Sequence, residues 1–400
     1  MQKVLIKKVL AIFLVLAIST HLASCQPVDY KMSLREKCEL YGFGYEEYQT
    51  TTQDGYILTL MRVPYAPNNR DEQDKPPVYM IHPINGHGNL LFYDGPDHSP
   101  GFELATRGFD VWVLNFRFTQ VSRAHVSLDP DTDPEFYDYD MVTLRYDLMA
   151  DIQFIIDNTN YDSIAVYGYG FGGTTLSYAM AIEPEFFSTN VNIASLIAAG
   201  PSYAHTQSLV YIGLAEADGL LNVVRSMGIN YVNPTDFPTN VLNQMFCYPY
   251  PPLCNAFVRL VSAESDPYND EDGSIRSQLF QDNSLTIQLS QHLVQSVRTG
   301  RVSYFDYGPE GNLEAYGTEE APLIPLEDTI NDVALLGSEI DHGTAPEDIN
   351  DYCDLLGDRC VFLKYYSLSH FGFQDADNAE YIIDLQDLYE EYEDPRPTSD

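Results

Sequence analysis

Ser163-Ile164-Ala165-Val166-Tyr167-Gly168-Tyr169-Gly170-Phe171-Gly172-Gly173-Thr174-Thr175 reads as a buried strand, a glycine-dense turn and the start of a helix. Glycine at positions 168, 170, 172 and 173 suits a turn too sharp for side chains. A glycine-rich phosphate loop is the rival reading of the same residues, but the lysine of a P-loop is absent. On either side, short apolar runs alternate with longer amphipathic ones. Pro77 to Ile81, Val111 to Asn115, Ser163 to Gly168, Val333 to Gly337 and Val361 to Tyr366 read as strands; Met141 to Thr159 and Thr174 to Ile182 read as helices. Alternation of this kind predicts an α/β fold with a mostly parallel central sheet and helices on both faces.

Between Ser202 and Ser303 the pattern changes to apolar helices broken by prolines and a cysteine pair. That interval is expected to be a helical cap or lid inserted over the carboxyl end of the sheet, where open α/β folds place their ligands. The core then comprises residues 26–201 and 304–400, and the cap residues 202–303. Residues 1–25 read as a secretory signal peptide, with Lys3, Lys7 and Lys8 before the apolar run Val9 to Ile18, which is too short to span a bilayer. Cleavage is expected after Ser24 or Cys25; Leu22-Ala23-Ser24-Cys25 also resembles a lipobox, which would place a lipid on Cys25. No later segment is long and apolar enough to be an integral membrane span.

Composition narrows the partners. Twenty-one basic residues stand against 59 acidic ones, a net charge of −38; without the three signal lysines, 18 against 59 leaves −41. Nucleic acid and anionic membranes are repelled by such a chain. The acids are scattered, so most read as a solvated surface. Asp129, Asp131, Asp133 and Asp140 match the first, third, fifth and twelfth positions of a calcium loop, but Pro134 stands where that loop needs glycine, and no metal is expected. No cofactor is implied. Cys247 with Cys254, and Cys353 with Cys360, read as two local disulfides of an oxidising compartment, leaving Cys38 free or paired with Cys25 according to the cleavage site. No Asn-x-Ser/Thr acceptor is present, because Asn233-Pro234-Thr235 is disqualified by its proline.

Lipases and esterases with a strand–turn–helix elbow carry G-x-S-x-G, and Gly168 and Gly172 match its flanks. The chain resembles the acid lipases, which include the gastric and lysosomal lipases, from about Tyr41 to Tyr392. The likeness rests on Tyr48 to Leu58 with Arg62-Val63-Pro64-Tyr65, on Gly108 to Trp112 with Asn115 and Arg117, on Glu135-Phe136-Tyr137 leading to Tyr146-Asp147-Leu148, and on Thr299-Gly300-Arg301 followed by Phe305 to Gly308, Asn312 and Tyr316. The resemblance implies the α/β-hydrolase fold and places Gly170 where the nucleophilic serine stands. It also assigns the acid to Asp341, in Gly337-Ser338-Glu339-Ile340-Asp341, and the base to His370, in Ser367 to Phe373. The order nucleophile, acid, base is the one α/β-hydrolases use. The backbone amides of Ile84 and Phe171 fall on the oxyanion hole, although Pro83 replaces a glycine and Phe116 and Phe118 replace small residues.

Glycine offers no hydroxyl, so the acyl-enzyme route is closed. The first expectation is therefore a secreted or otherwise secretory-pathway (for example lysosomal) pseudoenzyme that binds lipid-like apolar molecules or serves as an acidic storage or matrix protein. The alternative is an active carboxylic ester hydrolase using an unrecognised nucleophile or a water activated by His370.

Overall fold

Strand β5 (Ile164–Tyr169) runs through the centre of the molecule, every residue buried, and passes through Gly170 directly into helix α4 (Phe171–Ile182). The computed structural model describes residues 32–84, 86–216, 218–232, 285–375 and 380–393. Around β5 lies an eight-stranded sheet. Its other members are β1 (Glu46–Thr51), β2 (Ile57–Val63), β3 (Pro77–Ile81), β4 (Asp110–Val113), β6 (Val191–Ile197), β9 (Val333–Ser338) and β10 (Cys360–Tyr366). The spatial order is β1-β2-β4-β3-β5-β6-β9-β10; β1–β2 and β2–β4 pair antiparallel and the remaining neighbours pair parallel. The sheet is thus mostly parallel, as the alternating pattern predicts. The direction of strand addition reverses between β3 and β5, whose carboxyl ends form the crevice where such sheets hold ligands.

Two-residue periodicity sends alternate side chains into two cores, one on each face. From β3, Tyr79 and Ile81 enter one core while Val78 and Met80 enter the other. The first is covered by α3 (Arg145–Asp157), through Leu148, Ile152 and Ile155, and by α4. The second is covered by α1 (Leu34–Tyr41), α2 (Pro100–Thr106) and the last helix, α12 (Glu380–Glu391), which contributes Tyr381, Ile382, Leu385 and Tyr389. Helix α5 (Pro184–Asn190) follows α4. After β6 come α6 (Leu209–Glu216), α7 (Asp218–Ser226), the short pair β7 (Tyr231–Val232) and β8 (Leu285–Thr286), and α8 (Ile287–Thr299). Helices α9 (Gly308–Tyr316), α10 (Pro346–Leu356) and α11 (Gly372–Asp375) complete the described set. Among the described residues no helix is long and apolar enough to cross a membrane.

Some boundaries differ from expectation, with visible causes. The strand expected over Val111 to Asn115 ends at Val113, because Asn115 turns its amide to Thr59 O at 2.9 Å and accepts from Gly88 N–H at 2.9 Å. The helix expected from Met141 begins at Arg145, since Asp140 draws Thr143 into a preceding turn. Helix α4 begins at Phe171, three residues earlier than expected, and incorporates Gly172 and Gly173. Cys353 and Cys360 form a disulfide, Cys38 is a buried free thiol whose pKa burial pushes up to about 12, and Cys25, Cys247 and Cys254 lie outside the described residues. In the aspartate-rich loop, Asp129 and Asp133 accept amides of their own turn and Asp131 pairs with Arg123 at 2.8 Å.

Two buried polar clusters brace the first core. Arg117, fully buried, reaches Asp147 on α3 at 2.6 Å and Asp54 of the β1–β2 turn at 2.6 Å, with its guanidinium 3.9 Å from the centroid of the Tyr56 ring. A buried cation so placed is satisfied on both edges and on one face. Asp151, also on α3, has no cation beside it among the described residues. It accepts from Thr50 Oγ1 at 2.5 Å and Tyr79 OH at 3.0 Å, and burial pushes its carboxyl up to about 7.

Two outcomes follow. A methyl group at Gly172 would sit 2.7 Å from Ile81 O and 2.8 Å from His82 O, both backbone atoms. Gly172→Ala should therefore cost about 1–3 kcal/mol in urea unfolding, the range of core overpacking. Because the folded pKa of Asp151 is raised, its contribution to stability is fully present below the unfolded value of about 4 and is lost as pH rises toward 7, at a slope approaching about 1.4 kcal/mol per pH unit. Calorimetry between pH 4 and 7 should show the parent protein losing stability relative to Asp151→Asn; a gap that does not vary with pH would contradict a buried neutral acid.

Candidate active site

His370 and Asp341 meet at the carboxyl edge of the sheet. His370 Nδ1 lies 2.6 Å from Asp341 Oδ2, and the second carboxylate oxygen accepts the Gly343 amide at 2.6 Å and the Thr344 amide at 3.2 Å. The Asp341 side chain is wholly buried and that of His370 is 13% exposed, so the pair is desolvated on one side and reachable on the other. With the carboxylate accepting from Nδ1–H, the lone pair of Nε2 faces away from Asp341. Its neighbour in that direction is Gly170, where an added Cβ would lie 3.2 Å from Nε2 and 3.4 Å from Cε1. The three positions assigned from the resemblance are thus brought together, although Gly170 and His370 are 200 residues apart in sequence.

Gly170 sits at φ 53° and ψ −122°, left-handed in φ and extended in ψ, a combination close to glycine's exclusive territory. Its amide donates to Ile197 O at 2.9 Å, at the end of β6, and its carbonyl accepts from Thr174 N–H at 3.1 Å. The turn from β5 into α4 thus presents a left-handed φ and no side chain at this point. Of the nearby hydroxyls, Thr174 Oγ1 is committed elsewhere, 2.8 Å from Gly200 O and 2.9 Å from Tyr203 OH, and Thr175 is fully buried in α4, its Oγ1 making no hydrogen bond among the described residues. Gly170 also provides no side-chain cap to α4, so the amides of Phe171 and its neighbours open the positive end of the helix toward the site.

An aromatic cluster packs around His82, the residue before Pro83, whose Cβ lies 3.5 Å from the point where a Cβ on Gly170 would stand. Phe116 and Phe118 stack at 5.0 Å, and both meet His82 edge-on, at 5.0 and 5.7 Å. His82 is fixed as a neutral spacer: its Nδ1 donates to Pro83 O at 2.8 Å, its Nε2 accepts from Phe116 N–H at 3.2 Å, and burial pushes its pKa down to about 3. Ile84 and Phe171, the residues assigned to the oxyanion hole, are both buried in the same core, and Phe171 lies 6.3 Å from Phe116. Sequence reasoning missed one support. Tyr169 OH donates to His370 O at 2.7 Å and accepts from Gln374 Nε2 at 2.8 Å, holding the histidine turn against β5. Position 169 lies inside the elbow pattern, which is the one signal that marked it.

A polar cleft of about 630 Å³ opens elsewhere, lined by Arg62, Lys75, Asp110 and Asn160 among others. Lys75 and Asp110 lie at the amino ends of β3 and β4, Arg62 near the carboxyl end of the antiparallel β2, and Asn160 beyond the carboxyl end of α3, at the opposite end of the parallel strands from His370.

Residues 34–88 match a family model described as a partial α/β-hydrolase lipase region, and residues 76–220 match one for the α/β-hydrolase fold. Triacylglycerol lipase 1 of Arabidopsis thaliana is 31% identical over 69% of this chain and 68% of its own length. Lipase member K of Homo sapiens is 27% identical over 91% of this chain and 92% of its own. In three dimensions, a thermophilic esterase from Thermogutta terrifontis superposes with a TM-score of 0.52 at 11% identity, covering 87% of this chain and 100% of that one, a likeness of fold.

The strained φ at Gly170 makes the position costly for any L side chain. Gly170→Ala should lower stability by about 1–3 kcal/mol in chemical denaturation. A cost below about 0.5 kcal/mol would mean that the turn relaxes freely.

Proposed function

The chain belongs to the acid lipase family of the α/β-hydrolases, and from that premise we propose that it is a secreted member whose acyl-enzyme chemistry is silent and whose site holds lipid-like, apolar molecules. One observation carries the reading: glycine occupies the elbow, and the His370 ring faces it with Nε2 3.2 Å from the point where a Cβ would stand. Without an oxygen at that point no acyl-enzyme forms, whatever the state of the base. An apolar ligand is the kind that suits the apolar core beside Gly170, to which Ile84, Phe116, Phe118 and Phe171 belong. In this proposal residues 26–201 and 304–400 form the core, residues 202–303 the cap, Asp341 orients His370, and the amides of Ile84 and Phe171 face the ligand's polar end. An acidic storage or matrix role is the version of the same proposal in which no ligand is held.

The intact His370–Asp341 pair favours a second reading, hydrolysis by water with His370 as general base. In a serine protease, loss of a triad member leaves roughly 10³- to 10⁴-fold catalysis over water, far below a working lipase.

The two readings separate on esters. The purified protein, Gly170→Ser and His370→Ala should be assayed against short- and long-chain acyl esters, and the purified protein examined for co-purifying lipid by mass spectrometry. We expect no turnover by the parent protein, bound lipid in the preparation, and measurable hydrolysis by Gly170→Ser once His370 yields a few tenths of an ångström. Turnover by the parent that disappears in His370→Ala would overturn the silent-site reading. Inactivity of a folded Gly170→Ser would place a second lesion at Pro83, Phe116 or Phe118.

A further inference from the structure

A second histidine–aspartate pair lies outside the site. His205, in the loop between β6 and α6, donates its backbone N–H to Asp348 Oδ2 at 3.0 Å, and its Nδ1 lies 3.1 Å from Asp348 Oδ1. Asp348 belongs to the first turn of α10 and its side chain is 1% exposed, whereas the His205 ring is 50% exposed. The two residues that follow His205 grip the loop carrying Asp341. Thr206 Oγ1 donates to His342 O at 2.9 Å and Gln207 N–H donates to the same carbonyl at 2.8 Å. Two contacts to α10 and two to the loop that presents the orienting carboxylate thus fasten the segment leading into α6 and α7.

We propose that His205 and Asp348 form a pH-dependent latch that holds the entry to residues 209–232 against the Asp341 loop in acid and loosens as the imidazole loses its proton. The charge around His205 is lopsided. Asp348, Asp351 and Glu347 face it from α10, and together they raise its pKa, with the hydrogen bond to Asp348 the largest cause. The loop of residues 339–343 brings Glu339, Asp341 and His342, of which Asp341 is engaged with His370 and Glu339 with Ser367. The α8 exit, where Gly300 packs toward Ala204, carries Arg298 and Arg301, the latter 3.7 Å from Glu320. Helix α6 presents no charge before Glu216.

The direction follows from the sign of the shift. A histidine whose folded pKa is raised contributes stability that is fully present below its unfolded value of about 6.5 and is lost as pH climbs through the raised value. In acid, Asp348 holds an imidazolium, and a charge-assisted bond is the stronger kind. Above the raised pKa the pair is a neutral imidazole on a carboxylate, and only the backbone N–H of His205 and the two bonds to His342 O remain unchanged. The latch uses neither Gly170 nor His370, so it stands whether or not the site turns over esters.

Two measurements on the full chain test it. The first is the NMR titration of the His205 imidazole, whose midpoint should lie above about 6.5 and should drop in Asp348→Asn. The second is hydrogen exchange of the amides of residues 203–216 at pH 5.5 and 8.5, corrected for intrinsic rates. Protection should fall about two- to fivefold at the higher pH, the scale of a partly exposed ion pair. In His205→Asn, which offers a neutral donor in place of Nδ1, the pH dependence should vanish. A midpoint at or below 6.5, or equal pH dependence in His205→Asn, would overturn the latch. Should either variant fail to fold, the midpoint in the unaltered protein decides alone.

Discussion

Helix α4 starts flush against the end of β5, and this close approach governs the rest of the molecule. A Cβ at Gly168 would lie 2.7 Å from Gly173 Cα, and one at Gly173 would lie 2.5 Å from Ala199 Cβ and 2.7 Å from Gly168 O. With Gly172 against the carbonyls of Ile81 and His82, three glycines let strand and helix touch backbone to backbone. The helix is buried on all sides as a result, which requires both its neighbouring strand ends and α3 to be apolar where they meet it. The carboxyl ends of β3 and β5 are thereby locked side by side, and everything at the site is measured from them.

Placement and chemistry are separable in such a frame. Asp341 is held by two amides of its own loop, and His370 by Asp341 and by Tyr169, so neither depends on a serine for its position. His82 is likewise fixed by Pro83 and Phe116. A nucleophile is the least structural member of the group, since its side chain makes contacts mainly with reacting atoms. The hydrogen bonds that place Asp341, His370 and His82 are all made without one.

What could be read from residues alone was local. Buried strands such as Val78 to Ile81 declare themselves by unbroken apolar runs, and the elbow by its glycines. The start of α4 was harder, because glycine is a poor helix former and a local reading excludes Gly172 and Gly173 from the helix. Tertiary contact overrides that preference, since only glycine fits at those two points. The bond from Tyr169 to the His370 carbonyl spans 201 residues, and that from His205 to Asp348 spans 143. Nothing in the sequence around either partner announces the other. His82 illustrates a subtler limit: a histidine beside the site suggests chemistry, whereas its two ring nitrogens are both consumed in holding the Pro83 and Phe116 backbone.

The backbone at Gly170 makes loss and recovery of a side chain unequal. In the proposed exchange of serine for glycine, backbone strain falls, because glycine adopts this positive φ freely, so the step is downhill for the fold. The return is uphill. A side chain placed there meets the unfavourable φ and stands 3.2 Å from His370 Nε2, so the imidazole must give by a few tenths of an ångström. On the proposed reading the elbow therefore acts as a ratchet, easier to enter than to leave.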